Sequence, residues 1–262
     1  MNIIPHINPW YSLSGFVVGV LVGQTGVGGG SLMTPLLVLL FGVHPVTAVG
    51  TDLLFASVTK SAGTLVHGMN KTVDWRVTGR LALGSVPATV ITLYLITRFD
   101  LIGKSSASLI STILGCALIL TSVALVLRRQ VSAFAGAHLA GFSARKTAIL
   151  TVLTGAVLGG LVSITSIGAG ALGVTALILL YPRLPIPTIV GSDIAHAVPL
   201  TLVAGLGHWM LGSVNGSMLV SLLVGSLPGI VLGSYLSVRL PDVVLRGVLA
   251  TVLALVGAKL VF

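Results

Sequence analysis

"GQTGVGGGS", Gly23–Ser31, ends one apolar run and is followed closely by another, "LLVLLFGV", Leu36–Val43. Read as one straight α-helix, residues 12–43 would be roughly 48 Å long, against a hydrocarbon core of ~30 Å. The chain must kink heavily here or turn back on itself. Which of the two it does sets how many times the chain crosses a membrane, and so the whole topology.

That a membrane is involved follows from composition. Hydrophobic residues make up 55% of the 262 residues and charged residues only 7%. The five acidic residues are all Asp. A soluble domain of this size cannot cover its surface with so few charges. Long, continuously apolar runs recur, so the expected class is all-α, a polytopic helical membrane protein rather than a β-barrel of alternating strands. The net charge of +9 does not imply a nucleic-acid partner, because the basic residues sit mostly in short loops between apolar runs. That is the positive-inside pattern of a multi-pass inner-membrane protein. Cys116 is the single cysteine, so no intrachain disulfide forms. The opening "MNIIPHINPWYSLSG" has no Lys or Arg before its apolar run, which argues against a cleaved signal peptide. Trp10 and Tyr11 read as an interfacial aromatic anchor in contact with lipid.

The chain also matches itself. "VGTDLLFASVTKSAGTLVHGM" from Val49 aligns with "VGSDIAHAVPLTLVAGLGHWM" from Val190, an offset of 141 that puts Asp52 on Asp193 and His67 on His208. The match continues through "GSVP" at Gly84 and "GSLP" at Gly225, and upstream puts Thr34 on Thr175. Apolar helices share Leu and Val by chance, but not an Asp, a His and a Pro at one offset. Two structural repeats are expected, residues 1–127 and 148–262, joined by a basic cytoplasmic linker, 128–147. Each half divides into five apolar segments, near 12–26, 29–43, 47–68, 77–97 and 106–127, then 148–166, 169–182, 188–208, 217–238 and 244–262.

Charge decides between topologies. If the interrupted block folds as a hairpin, each half has five crossings and the halves are inverted. Ten basic residues then lie inside and three outside, with both termini outside. If the block crosses once, the halves are parallel and the count is eight to five. The inverted arrangement obeys the charge bias better.

The glycines have two readings. Close helix packing in lipid explains Gly15, Gly19 and Gly23, spaced by four. A helix break at membrane depth explains the rest, since unwound backbone is tolerated there only against protein or a water-filled cavity. A helix starting after such a break points free N–H groups and its positive dipole end into the cavity, a ready site for an anion. The second half repeats the feature, with "ITSIGAGAL" opposite "GQTGVGGGS". The expected substrate-binding set is therefore Gln24, Thr25, Gly26, Gly28, Gly29, Gly30, Ser31, Thr165, Ser166, Gly168 and Gly170. Gly168, Gly170 and Gly173 also spell G-x-G-x-x-G, but no strand precedes them and no acidic residue fits a ribose, so a dinucleotide site is rejected.

Polar residues inside apolar segments form a second set, Asp52, Lys60, Asp193 and His196. Thr47 and Thr188 read as N-caps for the two helices that carry the acids. The acids either sit near the interface, bind protons, or fix the core by pairing with a cation. Lys60 shares a face with Asp52 at i+8, and His196 lies at i+3 from Asp193, so structural pairing is the reading taken. His67 and His208 read as interfacial caps at helix ends. No metal motif, catalytic constellation or cofactor motif is present, and none of these groups is expected.

The stretches "GQTGVGGGSLMTPLLVLLFGVHPVTAVGTDLLFASVTKSAGTLVHG", Gly23–Gly68, and "TVDWRVTGRLALGSVPA", Thr72–Ala88, together resemble the sulfite exporter TauE/SafE family over nearly the whole chain. Many members show Thr-Ser where this chain has Thr51-Asp52, so the Asp marks a subgroup. The resemblance implies a secondary transporter for a small, sulfur-containing anion such as sulfite or an organosulfonate. The alternatives are a permease or channel for another small solute, or an intramembrane hydrolase. The expected partners are the anion, membrane lipid and, as an open question, a second copy of the chain; no nucleic acid is expected.

Overall fold

The computed structural model describes residues 7–25, 30–99, 107–138, 143–236 and 242–262. Among the described residues the chain is all-helical, with α1 (Pro9–Thr25), α2 (Gly30–Phe41), α3 (Pro45–Met69), α4 (Trp75–Arg98) and α5 (Ala107–His138) in the first half. The second half holds α6 (Ala144–Thr165), α7 (Ala171–Leu180), α8 (Ile186–Met210), α9 (Gly216–Leu236) and α10 (Asp242–Val261). Each of the ten apolar segments read from the sequence lies on one of these helices. Five helices are long and apolar enough to cross a membrane by length and composition alone, and four more are shorter and apolar. Leu40, Leu65, Leu83 and Val157 stand on their outer faces, each at least 70% exposed, where lipid tails cost them nothing.

Local chemistry sets the helix ends. The Asp74 carboxylate accepts the Arg76 and Val77 N–H groups, at 2.9 and 3.2 Å, and starts α4. Ser143 caps α6 by accepting the Lys146 N–H. The expectation that Thr47 and Thr188 cap α3 and α8 is corrected: the helices begin earlier, at Pro45 and Ile186, with a proline in the first turn and no side-chain cap. Proline fits there because its missing N–H would be unpaired anyway. The expected linker at 128–147 is also shorter than read, since α5 stays helical to His138.

α3 and α8 form the centre. Val49 and Leu53 pack with Leu200 and Ala204 in one buried cluster. Around them, first helices cross to the opposite half: α1 packs on α9, and α6 on α4. Glycine makes both crossings possible. A Cβ at Gly15 or Gly19 would strike the backbone of Leu222 or Ser226, and one at Gly155 or Gly159 would strike Leu81 or Ser85. The packing reading of Gly15 and Gly19 is thus what the structure has. The contacts are reciprocal elsewhere too. The Asp74 N–H donates to Ser192 Oγ at 2.8 Å, and the Asn215 N–H to Thr51 Oγ1 at 3.1 Å. α5 and α10 meet across Gly115 and Gly257, each against the other's carbonyl.

The two crossings are spaced almost alike along the chain. Leu81 and Leu222 are 141 positions apart, but the glycines that meet them, Gly155 and Gly15, are 140 apart.

Candidate functional site

The second-half break is built by backbone conformation. Ser166 ends α6 in the left-handed region, at φ 59°, with its N–H on the Val162 carbonyl at 2.7 Å. Gly168 and Gly170 follow at φ 121° and 134°, where a side chain would be strained. Thr165 uses its hydroxyl locally, donating to the Leu161 carbonyl at 2.7 Å and accepting the Ile167 N–H at 3.1 Å. α7 then starts at Ala171 with Gly170 as an N-cap that offers no side chain.

The chain reverses direction across this break. His208, in the last turn of α8, bonds the Ser163 carbonyl near the end of α6. Gly173, in the first turn of α7, lies against Asp193, which is two turns into α8. α6 thus runs alongside α8 and α7 runs back against it, so the block is a hairpin and not one long helix. α7 has ten residues, about 15 Å. In the first half, α1 ends at Thr25 and α2 begins at Gly30. Gly26, Gly28 and Gly29 lie outside the described residues, as do the side chains of Gln24, Thr25 and Ser31.

Three buried charged groups stand along the break in order. Asp52 Oδ2 accepts the Thr34 hydroxyl of α2 at 2.6 Å, a short charge-assisted bond. Ser166 at the start of the break faces the same carboxylate, although neither Asp52 Oδ1 nor Ser166 Oγ reaches hydrogen-bond geometry. Next, Lys60 Nζ donates to the Ala169 carbonyl at 2.8 Å. Last comes Asp193, whose two oxygens have no hydrogen-bond partner among the described residues although the residue is fully buried. The Gly170 N–H approaches this carboxyl group without reaching bonding geometry. Asp193 Oδ1 occupies the space that a Cβ at position 173 would fill. Asp193 therefore lies against the N-terminal turn of α7, where the helix dipole favours negative charge.

The sequence-predicted pairs are arranged differently from expectation. Lys60 faces both Asp193 and Asp52 electrostatically, but its described hydrogen bond goes to the break and not to Asp52. His196 is fully buried and bonds Ser85 Oγ of α4 through Nε2 at 2.8 Å, so it is not a partner of Asp193. Both acids are fully buried. His208 is only 2% exposed, and its Nε2–H donates to the Ser163 carbonyl at 2.9 Å. His67 pairs with Thr72 Oγ1 at 2.8 Å and is partly exposed.

Two contributors escaped the sequence reading. Arg128 was assigned to the linker, yet it is 8% exposed on α5 and faces Asp193. The signal was available, since no proline interrupts the run from Ala107 to His138. Gly173 was noted only as part of a rejected nucleotide pattern. No group of three or more metal-ligating side chains occurs among the described residues.

Comparison with known proteins places this architecture. The model of the sulfite exporter TauE/SafE family matches residues 11–260. Probable membrane transporter protein YjnA of Bacillus subtilis is 37% identical over 252 residues, 95% of this chain and 98% of that protein. A probable membrane transporter protein of Xylella fastidiosa strain Temecula1 is 31% identical over 80% of this chain and 77% of its own. Probable membrane transporter protein MJ0441 of Methanocaldococcus jannaschii is 23% identical over 79% of this chain and 74% of its own. No solved structure matches the chain. The chain belongs to the sulfite exporter TauE/SafE family, as a multi-pass helical membrane protein.

Proposed function

We propose that this membrane transporter carries a small, sulfur-containing oxyanion, sulfite or an organosulfonate, as a secondary transporter of the inner membrane. One observation carries the reading. The Ser166–Gly170 break opens onto the N-terminus of α7 beside a buried Lys60 that is fixed to the break itself. Backbone N–H groups, a helix dipole and an ammonium group converge on one place, which suits an anion with several acceptor oxygens. The relatives' names support transport, and the family's name supports sulfite.

The same reading treats the halves as inverted repeats. The reciprocal crossings of α1 on α9 and α6 on α4 support it, as does the charge bias. The Gly26–Ser31 segment then supplies the matching half of the site, with Gln24 and Thr25 beside it.

The test is counterflow in proteoliposomes with labelled sulfite, methanesulfonate and sulfate. Exchange of sulfite or the sulfonate, lost in a Gly28→Val, Gly170→Val double variant that still inserts and folds, is the expected result. Counterflow of none of these anions, or full activity in the double variant, would remove the reading.

A further inference from the structure

Asp193 is an anomaly within this site. It is fully buried, neither oxygen is hydrogen-bonded among the described residues, and its carboxyl group already lies where the site would hold a substrate anion. We propose that Asp193 holds the place of the transported anion at the α7 N-terminus and yields it by taking a proton, so that one proton travels with each anion. This rests on the anion-transport reading above and adds the coupling ion to it.

The argument is one of charge and space. The N-terminal turn of α7 is short of side-chain partners: Gly170 offers none, and Gly173 leaves a gap that Asp193 Oδ1 fills. Only one negative group fits there at a time. The charged groups facing it are Lys60 from α3 and Arg128 from α5, and Lys60 in turn also faces Asp52. α4 supplies Ser85, which is taken by His196 of α8 itself, and Asp74, which caps its own helix. α6 supplies Ser166, turned towards Asp52. Asp52 is held by Thr34, so the two acids are not equivalent.

With Asp193 ionised, its carboxylate balances the nearby cations and the site repels a second anion. When a proton bonds to one Asp193 oxygen, the carboxyl group becomes neutral and the cluster gains one positive charge. A monoanion then restores the balance by taking the α7 N-terminus. On the far side the anion leaves, the O–H bond breaks, the proton passes to water, and the carboxylate returns to the helix. No other charge changes in the cycle. Proton and anion must bind together, which is reciprocal linkage between two ligands of one site, and they move in the same direction.

The test uses the full chain in proteoliposomes with radiolabelled methanesulfonate, which carries one negative charge at every pH used. An imposed pH gradient, acidic outside, should drive wild-type accumulation approaching about tenfold per pH unit, the limit for one proton per anion. A proton ionophore should abolish it. Asp193→Asn mimics the protonated group, so whatever counterflow it shows should no longer respond to pH, and all gradient-driven accumulation should be lost. Asp193→Glu should recover part of it. Accumulation in the wild type that ignores the gradient, or an Asp193→Asn variant that still follows it, would overturn the proposal. Infrared titration of the purified protein is a second arm that needs no substrate. On acidification the wild type should gain a protonated-carboxyl C=O band component that Asp193→Asn lacks, seen in the difference between the two titrations because the chain's other Asp residues titrate in both. If no anion is exchanged in counterflow, the anion reading has failed and this band alone decides; its absence at every pH overturns the proton role as well. Asp193→Asn may be replaced by Asp193→Gln in both arms if it fails to fold.

Discussion

The Lys60 ammonium donates to the Ala169 carbonyl at 2.8 Å, joining the middle of α3 to unwound backbone 109 positions further along the chain. This carbonyl lies between two positive-φ glycines and has left the helical ladder. A buried backbone acceptor at membrane depth needs a partner, and this one takes a cation. The hydrogen bond of a charged donor is worth about 1.5–3 kcal/mol. Lys60→Met should therefore lower thermal stability in detergent and depress anion counterflow more than ten other-face substitutions do on average; Lys60→Arg should recover part of both. Unchanged melting together with unchanged counterflow in Lys60→Met would show that the contact has no role.

Asp52 should couple more strongly to Thr34 than to Lys60. The hydroxyl–carboxylate bond is direct, at 2.6 Å, whereas Lys60 bonds elsewhere. Contacting pairs show interaction energies of about 0.5–3 kcal/mol in double-mutant cycles. The cycle Asp52→Asn with Thr34→Val should fall in that range, and the cycle with Lys60→Met below it. A larger coupling to Lys60, measured by thermal unfolding, would restore direct pairing between Asp52 and Lys60.

Two glycines of α4 provide a matched test of packing. A Cβ at Gly84 would strike the Val152 carbonyl of α6, while one at Gly79 would meet nothing within 4 Å. Gly84→Ala should force α4 and α6 apart and cost about 1–3 kcal/mol, the usual penalty for overpacking. Gly79→Ala should be neutral or stabilising by up to about 1 kcal/mol through helix propensity. Equal melting temperatures for the two variants would contradict the crossing.

Topology has its own test. Met69 and Met210 end α3 and α8 and are 84% and 88% exposed. With inverted halves they lie on opposite faces of the membrane. In a Cys116→Ala background, Met69→Cys should react with an impermeant thiol reagent from the cytoplasmic face and Met210→Cys from the other. Phe262→Cys should behave like Met210→Cys. Reaction of the first two from one face would establish parallel halves.

Much of this protein is written in local sequence. Apolar runs, some of membrane length and some shorter, set the ten helices, because lipid leaves backbone polar groups no partner but the helix itself. The glycines at 168 and 170 marked the break because no other residue enters those φ values cheaply. The offset between Asp52 and Asp193 set two similarly patterned stretches in the sequence, and both acids lie on central helices. Long-range geometry decided the rest. Spacing along α3 put Lys60 on the same face as Asp52, but a face is wide, and the nearest acceptor came from another helix pair. Arg128 looked like a loop charge because it ends an apolar run, and only the packing of α5 carried it inside to face Asp193. The partner of a buried charge is set by which helices cross at its depth. Sequence periodicity determines the face a residue takes; the tertiary fold alone determines what stands opposite it.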